Sequence, residues 1–466
     1  MPEPVQVDLS RPRRIHLVGV GGSGMSAIAG VLAAMGHVVS GTDLKDSANL
    51  ERLRAQGVAV SVGHDRDRVV GAEVVAVSTA IPRTNPEVLA AEELGLPVLR
   101  RAEILAAVAA TRRCLAVAGT HGKTTTSSML ALVLVAAGLR PSFIIGGEVN
   151  EIGTGAAWDT GDWFVVEADE SDGTFLELGA DAAIVTNIEP DHLEHYGDFD
   201  TLLAGFERFV SEVPGPVVVG IDDPMSAVLA VRRGAVTYGT SAGADVRMVD
   251  VAADRSGVRF TVERRGATLG RIGLPVPGLH NARNATGALA MALELGVPFE
   301  SAAAALGHYA GVARRFEFRG EAAGVTFVDD YAHLPTEVSA AIDAAADGGW
   351  QRIVCVFQPH RFSRTGALWA TFADSFVGAD QLVVTDIYAA GERPRPGVTG
   401  KLIVNVVLDA HPWAPVAYLP RRRELAPYLL NRLRPGDLCL TLGAGDLTTL
   451  PDELIETLRT RGVGAA

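Results

Sequence analysis

Residues 114–125 read CLAVAGTHGKTT, an apolar run followed by a glycine-rich turn and then by helix-forming residues. The run predicts a buried strand, and the residues after the turn predict a helix. Gly119 and Gly122 allow backbone N–H groups to face an anion, and the helix N-terminus adds a positive dipole. Lys123 supplies a charge for phosphates, and Thr124 supplies a hydroxyl for Mg²⁺. The stretch therefore predicts a nucleoside triphosphate site, although its glycines are not spaced as in GxxxxGK[ST].

Similar apolar runs recur along the chain, each followed by a polar or glycine-rich turn and a helical pattern. They are continuous and rich in β-branched residues, as is typical of strands buried on both faces of a parallel sheet. The runs are Ile15–Val20, Val74–Val77, Cys114–Ala118, Trp163–Glu167, Ala182–Thr186, Val217–Ile221, Ile353–Phe357, Leu382–Thr385 and Leu438–Leu442. Residues 243–275 alternate instead, which predicts a small antiparallel insertion. We expect an α/β fold with mostly parallel, doubly wound sheets.

The length of 466 residues suggests about two to four domains. One boundary is expected near residue 110, before the strand that leads into the glycine-rich turn at residues 119–125, which we call the phosphate turn. Another is expected near residue 315, after an alanine-rich helix. We predict a Rossmann-like first domain over 1–110, a central domain like the P-loop ATPases over 111–315 and a Rossmann-like third domain over 316–466.

The composition is that of a globular protein, with 48% hydrophobic and 21% charged residues. The net charge of −14 argues against a nucleic-acid binder, and no basic patch stands out. No apolar stretch approaches the roughly 20 residues needed to cross a bilayer. The single cysteines Cys114, Cys355 and Cys439 lie in apolar runs, which indicates buried thiols and a reducing compartment. We expect a cytoplasmic protein without a membrane span.

Acidic and histidine side chains follow two of the later runs. The run that ends at residue 167 closes on Glu167, Asp169, Glu170 and Asp172, and His192 follows the next run. In open α/β sheets, binding sites lie outside the carboxyl ends of strands. Carboxylates there can hold the Mg²⁺ that bridges phosphate oxygens. A solvated acidic loop and a surface histidine are the alternatives for these residues taken alone.

A second glycine-rich turn, GVGGSGM at residues 19–25, follows the first apolar run and precedes a helical pattern. Asp43 lies 19 residues after Gly24, where an acid can bind a ribose hydroxyl. Taken alone, these residues are typical of a fold that binds a nicotinamide dinucleotide. A turn that serves packing only is the other alternative.

Further motifs are TNIEPDHL at 186–193, HNARN at 280–284 and RRFE at 314–317. Together with the glycine-rich turn at 119–125 and the acid cluster at 167–172, they resemble, in order and over essentially the whole chain, the Mur ligases of peptidoglycan synthesis. Within that family, four features look like the alanine-adding branch: GVGGSGM at 19–25, His121 in the phosphate turn, DDYAH at 329–333 and QPHRFSR at 358–364.

The resemblance implies a ligase that joins L-alanine to the carboxylate of UDP-N-acetylmuramate at the expense of ATP. The muramate carboxylate would attack the γ-phosphate to give an acyl phosphate and ADP, and the amine of L-alanine would then displace phosphate. The first domain would bind the UDP-sugar, the central domain ATP, and the third domain the amino acid. Two Mg²⁺ sites are implied, with Mn²⁺ as a possible substitute. We expect a monomer or a weak homodimer.

The resemblance also implies roles for individual residues. The catalytic residues would be Lys123, Glu167 and His192, and the metal ligands Thr124, Glu167 and His192. ATP would be bound by Gly119, Thr120, His121, Gly122, Lys123, Thr124, Thr125, Asn281, Asn284, Arg315 and Asp329. The UDP-sugar would be bound by Gly21, Gly22, Ser23, Gly24, Met25, Asp43, Ser78 and His121. The amino acid would be bound by Tyr331, His333, Arg361 and Arg364.

Three alternatives stay open from the sequence. A murein-peptide recycling ligase would add a preformed peptide to the same sugar, and a UDP-sugar sensor would keep the fold without activity. A nicotinamide dehydrogenase would leave the phosphate turn unexplained. Three positions depart from the family pattern. Leu334 stands where many relatives have a second histidine, Gly155 where they often have asparagine, and Glu194 where aspartate is common, which is a milder change. Since Lys45, Lys123 and Lys401 are the chain's lysines, the central domain has no candidate for the modified lysine that some Mur ligases use near the metal.

Overall fold

The computed structural model describes residues 7–171 and 173–463, except for the side chains of Glu194 and residues 461–463. Asp172, one of the expected acidic residues, lies outside the described residues. Three mostly parallel sheets flanked by helices make this an α/β protein of three domains, as the sequence predicts. By its contacts the chain divides into two compact units. The first comprises residues up to 247 with 263–267 and 284–306, and the second comprises 248–262, 268–283 and the residues from 307 onward.

The first sheet belongs to the first unit. In chain order its elements are β1 (Arg14–Val18), α1 (Ser23–Ala34), β2 (Val38–Asp43), α2 (Ala48–Ala55), β3 (Ala59–Val62), β4 (Val74–Val77), α3 (Pro86–Glu93), β5 (Val98–Arg100) and α4 (Arg101–Ala109). The strands are parallel in the order β3-β2-β1-β4-β5. This is the order of a dinucleotide-binding fold, whose ligands lie where the order reverses, beside β1.

The central elements begin at the phosphate turn's strand. They are β6 (Arg113–Ala118), α5 (Lys123–Ala136), β7 (Ser142–Val149), β8 (Thr154–Ala157), β9 (Trp163–Glu167), β10 (Ala182–Val185), α6 (Leu193–Tyr196), α7 (Phe199–Glu212), β11 (Val217–Gly220), α8 (Pro224–Arg233), β12 (Val236–Gly239), β13 (Val246–Asp254), β14 (Gly257–Arg264), β15 (Ala267–Leu274), α9 (Leu279–Glu294) and α10 (Phe299–Leu306). In the first unit the strands run β12-β11-β10-β6-β9-β7-β8, all in parallel pairs except β7 with β8. Because β6 lies between β9 and β10, the ends of these three strands meet around the phosphate turn.

The third sheet belongs to the second unit. Its elements are β16 (Glu317–Ala322), β17 (Val325–Asp330), α11 (Pro335–Ala346), β18 (Arg352–Phe357), α12 (Phe362–Leu368), β19 (Gln381–Val384), α13 (Lys401–Ala410), β20 (Val416–Tyr418), α14 (Leu425–Leu430), β21 (Asp437–Leu442) and α15 (Leu450–Val463). The order is β16-β17-β21-β18-β19-β20, and only β16 pairs antiparallel. The expected insertion at 243–275 contains β13, β14 and β15, which are successive neighbours in one sheet.

The continuous apolar runs form the buried strands, as predicted. Val74–Val77 and Trp163–Glu167 begin and end at the predicted residues. The run at 15–20 ends as a strand at Val18, because Gly19 has φ +80° and its N–H donates to Thr42 O at the start of the turn. All three cysteines are buried free thiols, also as predicted. Among the described helices, none is long and apolar enough to cross a bilayer.

Candidate active site

The phosphate turn connects β6 to α5 as the sequence predicts, and two of its glycines are required by geometry. Gly119 has φ +126°, and a Cβ there would lie 2.1 Å from Thr186 Oγ1. Gly122 has φ +79°, and a Cβ there would lie 2.5 Å from Asn284 Oδ1. A side chain at either position would combine backbone strain with a clash. The turn is therefore packed closely against β10 and α9.

The residues after β10 hold the phosphate turn from its other side. Asn187 Oδ1 accepts from His121 N at 2.9 Å, and Asn187 Nδ2 donates to His121 O at 3.1 Å. Thr186 Oγ1 donates to the same carbonyl at 2.6 Å. His121 Nε2 lies 3.2 Å from Glu189 Oε2. No role was predicted for Thr186, Asn187 and Glu189, although polar residues at the end of a strand beside β6 were a usable signal.

Lys123 begins α5 and is paired inside the first unit. Its Nζ donates to the two Glu170 carboxylate oxygens at 2.9 and 2.8 Å and to Gly119 O at 2.7 Å. Burial by itself would lower the pKa of Lys123, but the carboxylates of Glu170, Asp169 and Glu167 raise it above its ordinary value. The ammonium is therefore charged at neutral pH, and a phosphate that binds there meets a lysine already held by Glu170.

Thr124 and Glu167, two of the predicted metal ligands, lie in hydrogen-bond contact. Thr124 Oγ1 donates to Glu167 Oε2 at 3.1 Å, and Glu167 Oε1 accepts from Gly146 N at 2.6 Å. A hydroxyl and a carboxylate are the oxygen ligands that Mg²⁺ prefers. Within residues 7–171 and 173–463, no group of three or more His, Cys, Asp and Glu side chains is arranged to hold a metal ion. A magnesium ion at this pair would therefore need phosphate oxygens or water as further ligands.

His192 lies at the N-terminus of α6 in a left-handed conformation, with φ +53°. Its Nε2 is 3.2 Å from Asp191 Oδ2. Burial would raise the pKa of Asp169, but Lys123, together with His192 and hydrogen bonds from Ser171, lowers it below its ordinary value. His192, a predicted ligand of the second metal, thus lies within electrostatic reach of Asp169 at the end of β9.

The proposed adenine-binding residues are one turn apart on α9. Asn284 lies in the first unit, directly against Gly122 of the phosphate turn. Asn281 lies in the second unit, where its Nδ2 donates to Pro277 O at 2.7 Å. The preceding His280 is half-buried, and desolvation lowers its pKa to about 4, so it is neutral at physiological pH.

Arg315 and Asp329 have different surroundings in the second unit. Asp329 is buried, and its two oxygens accept from Thr441 Oγ1 at 2.7 Å and Thr448 Oγ1 at 2.6 Å. Arg315 lies over the Tyr331 ring at 5.1 Å, and Arg314 lies over the same ring at 4.8 Å. Tyr331, expected at the amino acid, therefore also supports the two arginines. Both Asp329 oxygens therefore already accept hydrogen bonds from residues of the third domain.

The glycine turn after β1 brings together the residues expected to bind the UDP-sugar in the first domain. Asp43 Oδ2 accepts from Gly21 N at 2.8 Å. The Ser78 Cβ lies 2.9 Å from where a Cβ on Gly19 would stand. Gly22 caps α1, and Ser23, Gly24 and Met25 form its first turn. His121 belongs instead to the phosphate turn described above.

A cavity of about 680 Å³ lies within the first unit between α1, α2, α4 and the β7–β8 hairpin. Ser23 and Gly24 line it from the first domain, and Glu167 and Asp169 line it from the end of β9. It therefore joins the glycine turn to the acid cluster. Gly155 also lines it, and a Cβ there would lie 2.5 Å from Gly147 O. The hairpin thus excludes the side chain that relatives often carry at this position.

In the third domain the expected amino-acid residues surround His360, a histidine for which no role was predicted. His360 Nδ1 accepts from Arg364 Nη1 at 3.1 Å. Its ring stacks on Tyr388 with centroids 5.9 Å apart and packs edge-on against His333 at 5.6 Å. Burial, helped by His333 and Arg364, lowers the pKa of His360 to about 3, which keeps the accepting nitrogen unprotonated. Arg361, with φ +66°, caps α12 beside it.

Comparisons with known proteins agree with this architecture. Three protein-family models match the chain. The model for the catalytic domain of the Mur ligase family matches residues 14–113, and the model for the Mur ligase middle domain matches 117–292. The model for the glutamate ligase domain of Mur ligases matches 314–445. A UDP-N-acetylmuramate–L-alanine ligase of Bradyrhizobium sp. (strain ORS 278) is 47% identical over 455 residues, covering 94% of this chain and 97% of the relative.

Two solved structures extend the comparison. A UDP-N-acetylmuramate-alanine ligase from Thermotoga maritima has a TM-score of 0.80 at 28% identity and covers 96% of this chain and 100% of its own. A murein peptide ligase from Psychrobacter arcticus 273-4 has a TM-score of 0.69 at 25% identity, with 96% and 98% covered. Because the family models match most of the chain and a relative is 47% identical over nearly all of it, this chain belongs to the Mur ligase family.

Proposed function

We propose that the protein is an ATP-dependent ligase that forms an amide bond between L-alanine and the carboxylate of UDP-N-acetylmuramate. One observation carries the proposal. The cavity that begins at the glycine turn of the first domain ends at Glu167 and Asp169, next to the phosphate turn with Lys123. A nucleotide sugar bound at one end can therefore present its carboxylate to a triphosphate at the other. The 47% identical L-alanine ligase supports this choice of substrates.

The first step brings an anionic carboxylate to an anionic triphosphate, so the site must neutralise charge and align the reactants. The protonated Lys123 and the N–H groups at the start of α5 provide positive charge. Thr124 and Glu167 would hold Mg²⁺, with His192 and Glu167 at a second site, and either ion would neutralise phosphate charge. Mn²⁺ would serve at the same oxygen ligands. The products of this step are an acyl phosphate and ADP.

In the second step the L-alanine amine attacks the acyl carbon, and phosphate leaves. We assign the L-alanine carboxylate to Arg361 and Arg364, because a guanidinium pairs with a carboxylate through two parallel hydrogen bonds. His333 packs against His360 and against Tyr331. His360 fixes the orientation of Arg364 through its unprotonated Nδ1.

The remaining residues are proposed to bind the nucleotides. Thr120, His121 and Thr125 belong with the phosphate turn. Asn281 and Asn284 carry amides with both donors and acceptors, as an adenine edge requires. Arg315 and Asp329 are proposed for the ATP phosphate and ribose. Gly21 to Met25, Asp43 and Ser78, together with His121, are proposed for the UDP-sugar.

Phosphate release measured with UDP-N-acetylmuramate, ATP and Mg²⁺ tests the proposal. L-Alanine is expected to trigger release, and removal of Mg²⁺ with a chelator is expected to stop it. Equal or faster release with the peptide L-alanyl-γ-D-glutamyl-meso-diaminopimelate would assign the protein to peptide recycling instead. No release with either amine, despite binding of the sugar, would indicate a sensor. Because the reaction consumes ATP and a nucleotide sugar, we propose that the protein works in the cytoplasm. A monomer or weak homodimer remains a prediction.

Two lysine variants sharpen the test. Lys123→Ala is expected to abolish turnover while UDP-N-acetylmuramate still binds, because the two nucleotides use different domains. Lys401→Ala is the matched control, since Lys401 is exposed at the start of α13 and turnover should be unchanged. Loss of sugar binding in a folded Lys123→Ala variant would contradict the division of labour between the domains.

A further inference from the structure

One cation at the substrate cavity has no role in the family pattern described above. Arg101 is the first residue of α4 and lines the cavity beside Ser23 and Gly24. Its Nη1 lies 3.4 Å from where a Cβ on Gly24 would stand, so the guanidinium lies against the first turn of α1. On its other side, Nη2 is 4.0 Å from Asp169 Oδ2. Arg101 therefore stands between the glycine turn and the acid cluster of β9.

The Arg101 guanidinium makes no strong contact that would stabilise the fold. Among the residues that the structure describes it makes no hydrogen bond, and its single ion pair, with Asp169, is at the outer limit of such a contact. Its side chain is 31% exposed, and that of Asp169 is 44% exposed, so neither group is enclosed by the other. Arg100, the preceding residue, differs because it pairs with Glu103 and Glu177.

Carboxylates line the cavity, so an anionic substrate needs a cation there to offset the repulsion. Glu148, Glu167 and Asp169 line the cavity, yet the proposed substrate carries a diphosphate and a carboxylate. Lys123 is already held by Glu170 and by the phosphate turn. An arginine with free N–H donors suits a phosphate, because its planar fork can bind two oxygens at once.

We propose that Arg101 binds the diphosphate of the nucleotide sugar where it passes the first turn of α1, an inference that rests on the proposed function. The guanidinium and the N–H groups of Ser23, Gly24 and Met25 would then face the same phosphate oxygens. Arg101 is thus a further substrate-binding residue, placed between the diphosphate and the reacting carboxylate.

Calorimetric titration of the full-length protein with UDP and with UDP-N-acetylmuramate tests the inference. Arg101→Ala is expected to weaken the binding of both by roughly 10–100-fold, the effect of losing charge-assisted hydrogen bonds to one phosphate. Arg101→Lys keeps the charge without the fork and should fall between. ATP binding by both variants and their thermal midpoints should match the wild type.

Two control variants show whether the Arg101 contact itself is responsible. Arg52→Ala removes the same charge from α2 on the same cavity and should leave UDP binding unchanged. An equal loss in Arg52→Ala would show that general charge, not the Arg101 contact, is responsible. Asp169→Asn should bind UDP as well as the wild type. An equal loss in that variant would mean that Arg101 acts only through Asp169.

The outcomes also distinguish this inference from the proposed function. If Arg101→Ala bound UDP normally but UDP-N-acetylmuramate weakly, the partner would be the carboxylate and the diphosphate assignment would be wrong. If it bound both normally, Arg101 would not be a binding residue. If the wild type itself bound neither ligand, the proposed function would fail.

Discussion

Glu170 is the buried partner of Lys123, and we expect Glu170→Gln to destabilise the central domain. The Lys123 side chain is 16% exposed and that of Glu170 2%. Removing one partner of a buried ion pair costs about 3–5 kcal/mol. Asp169 and Glu167 also favour the charged lysine and remain in the variant, so we expect a loss below that range, about 2–3 kcal/mol. For a domain of this size the loss corresponds to a fall of about 4–12 °C in Tm.

Differential scanning calorimetry with and without ATP and Mg²⁺ measures this effect. Glu177→Gln is the matched control, because it breaks an exposed pair with Arg100 and should cost less than about 1 kcal/mol. A bound triphosphate would give Lys123 a new anionic partner, so ATP should raise the Tm of Glu170→Gln more than that of the wild type. Equal small shifts in the two variants, with equal effects of ATP, would refute the view that this pair holds the phosphate turn together.

Three further expectations follow from the same geometry. Gly119→Ala should abolish ATP binding in a titration while UDP binding remains. The reason is that a Cβ there would lie 2.1 Å from Thr186 Oγ1, at a residue with positive φ. Normal ATP affinity would show that the turn can rearrange. His360→Leu should raise the KM for L-alanine about tenfold. His360→Asn keeps an acceptor near the position of Nδ1 and should raise the KM less. Identical KM values in the two variants would show that His360 does not position Arg364. The pKa of His280 is lowered by burial from 6.5 to about 4, so between these pH values the unfolded chain binds more protons. The wild type should therefore lose up to roughly 3 kcal/mol relative to His280→Gln as the pH falls from 6.5 to 4, measured by urea unfolding, and a pH-independent difference would contradict this.

Strands whose residues form a continuous apolar run were predictable, because such a run is typical of a strand buried on both faces of its sheet. β7 and β17 were not predicted, although each has a neighbouring strand on both sides. Val74–Val77 and Trp163–Glu167 are strands over the predicted residues. The edge strands at Ala59–Val62 and Val416–Tyr418 were not predicted. Their residues are half-buried or exposed, so they form neither a continuous apolar run nor a clear alternation. These two edge strands therefore lacked the pattern on which the prediction relied.

The sequence placed the candidate site residues at the ends of strands. It did not predict which of these side chains pair with one another. Thr124 and Glu167 were expected to meet at a metal, and the structure places them 3.1 Å apart. The partner of Lys123 was not foreseen, because Glu170 is one of several acids in the same segment. His360 was within a recognised motif, but nothing local indicates that its Nδ1 accepts from Arg364.

The sequence by itself predicted the chemistry of the site and candidate residues for it, since a glycine-rich turn with Lys123 and Thr124 is suited to bind phosphate through its own backbone and side chains. It also determined the family, because the motifs recur in order. Only the tertiary structure decided which groups meet. Whether Lys123 meets Glu170, and whether Arg101 lies against Gly24, depends on how segments far apart in the chain are brought together by sheet pairing and helix packing. A local pattern places a residue at the end of its strand, but the arrangement of the strands and helices around it selects its neighbour.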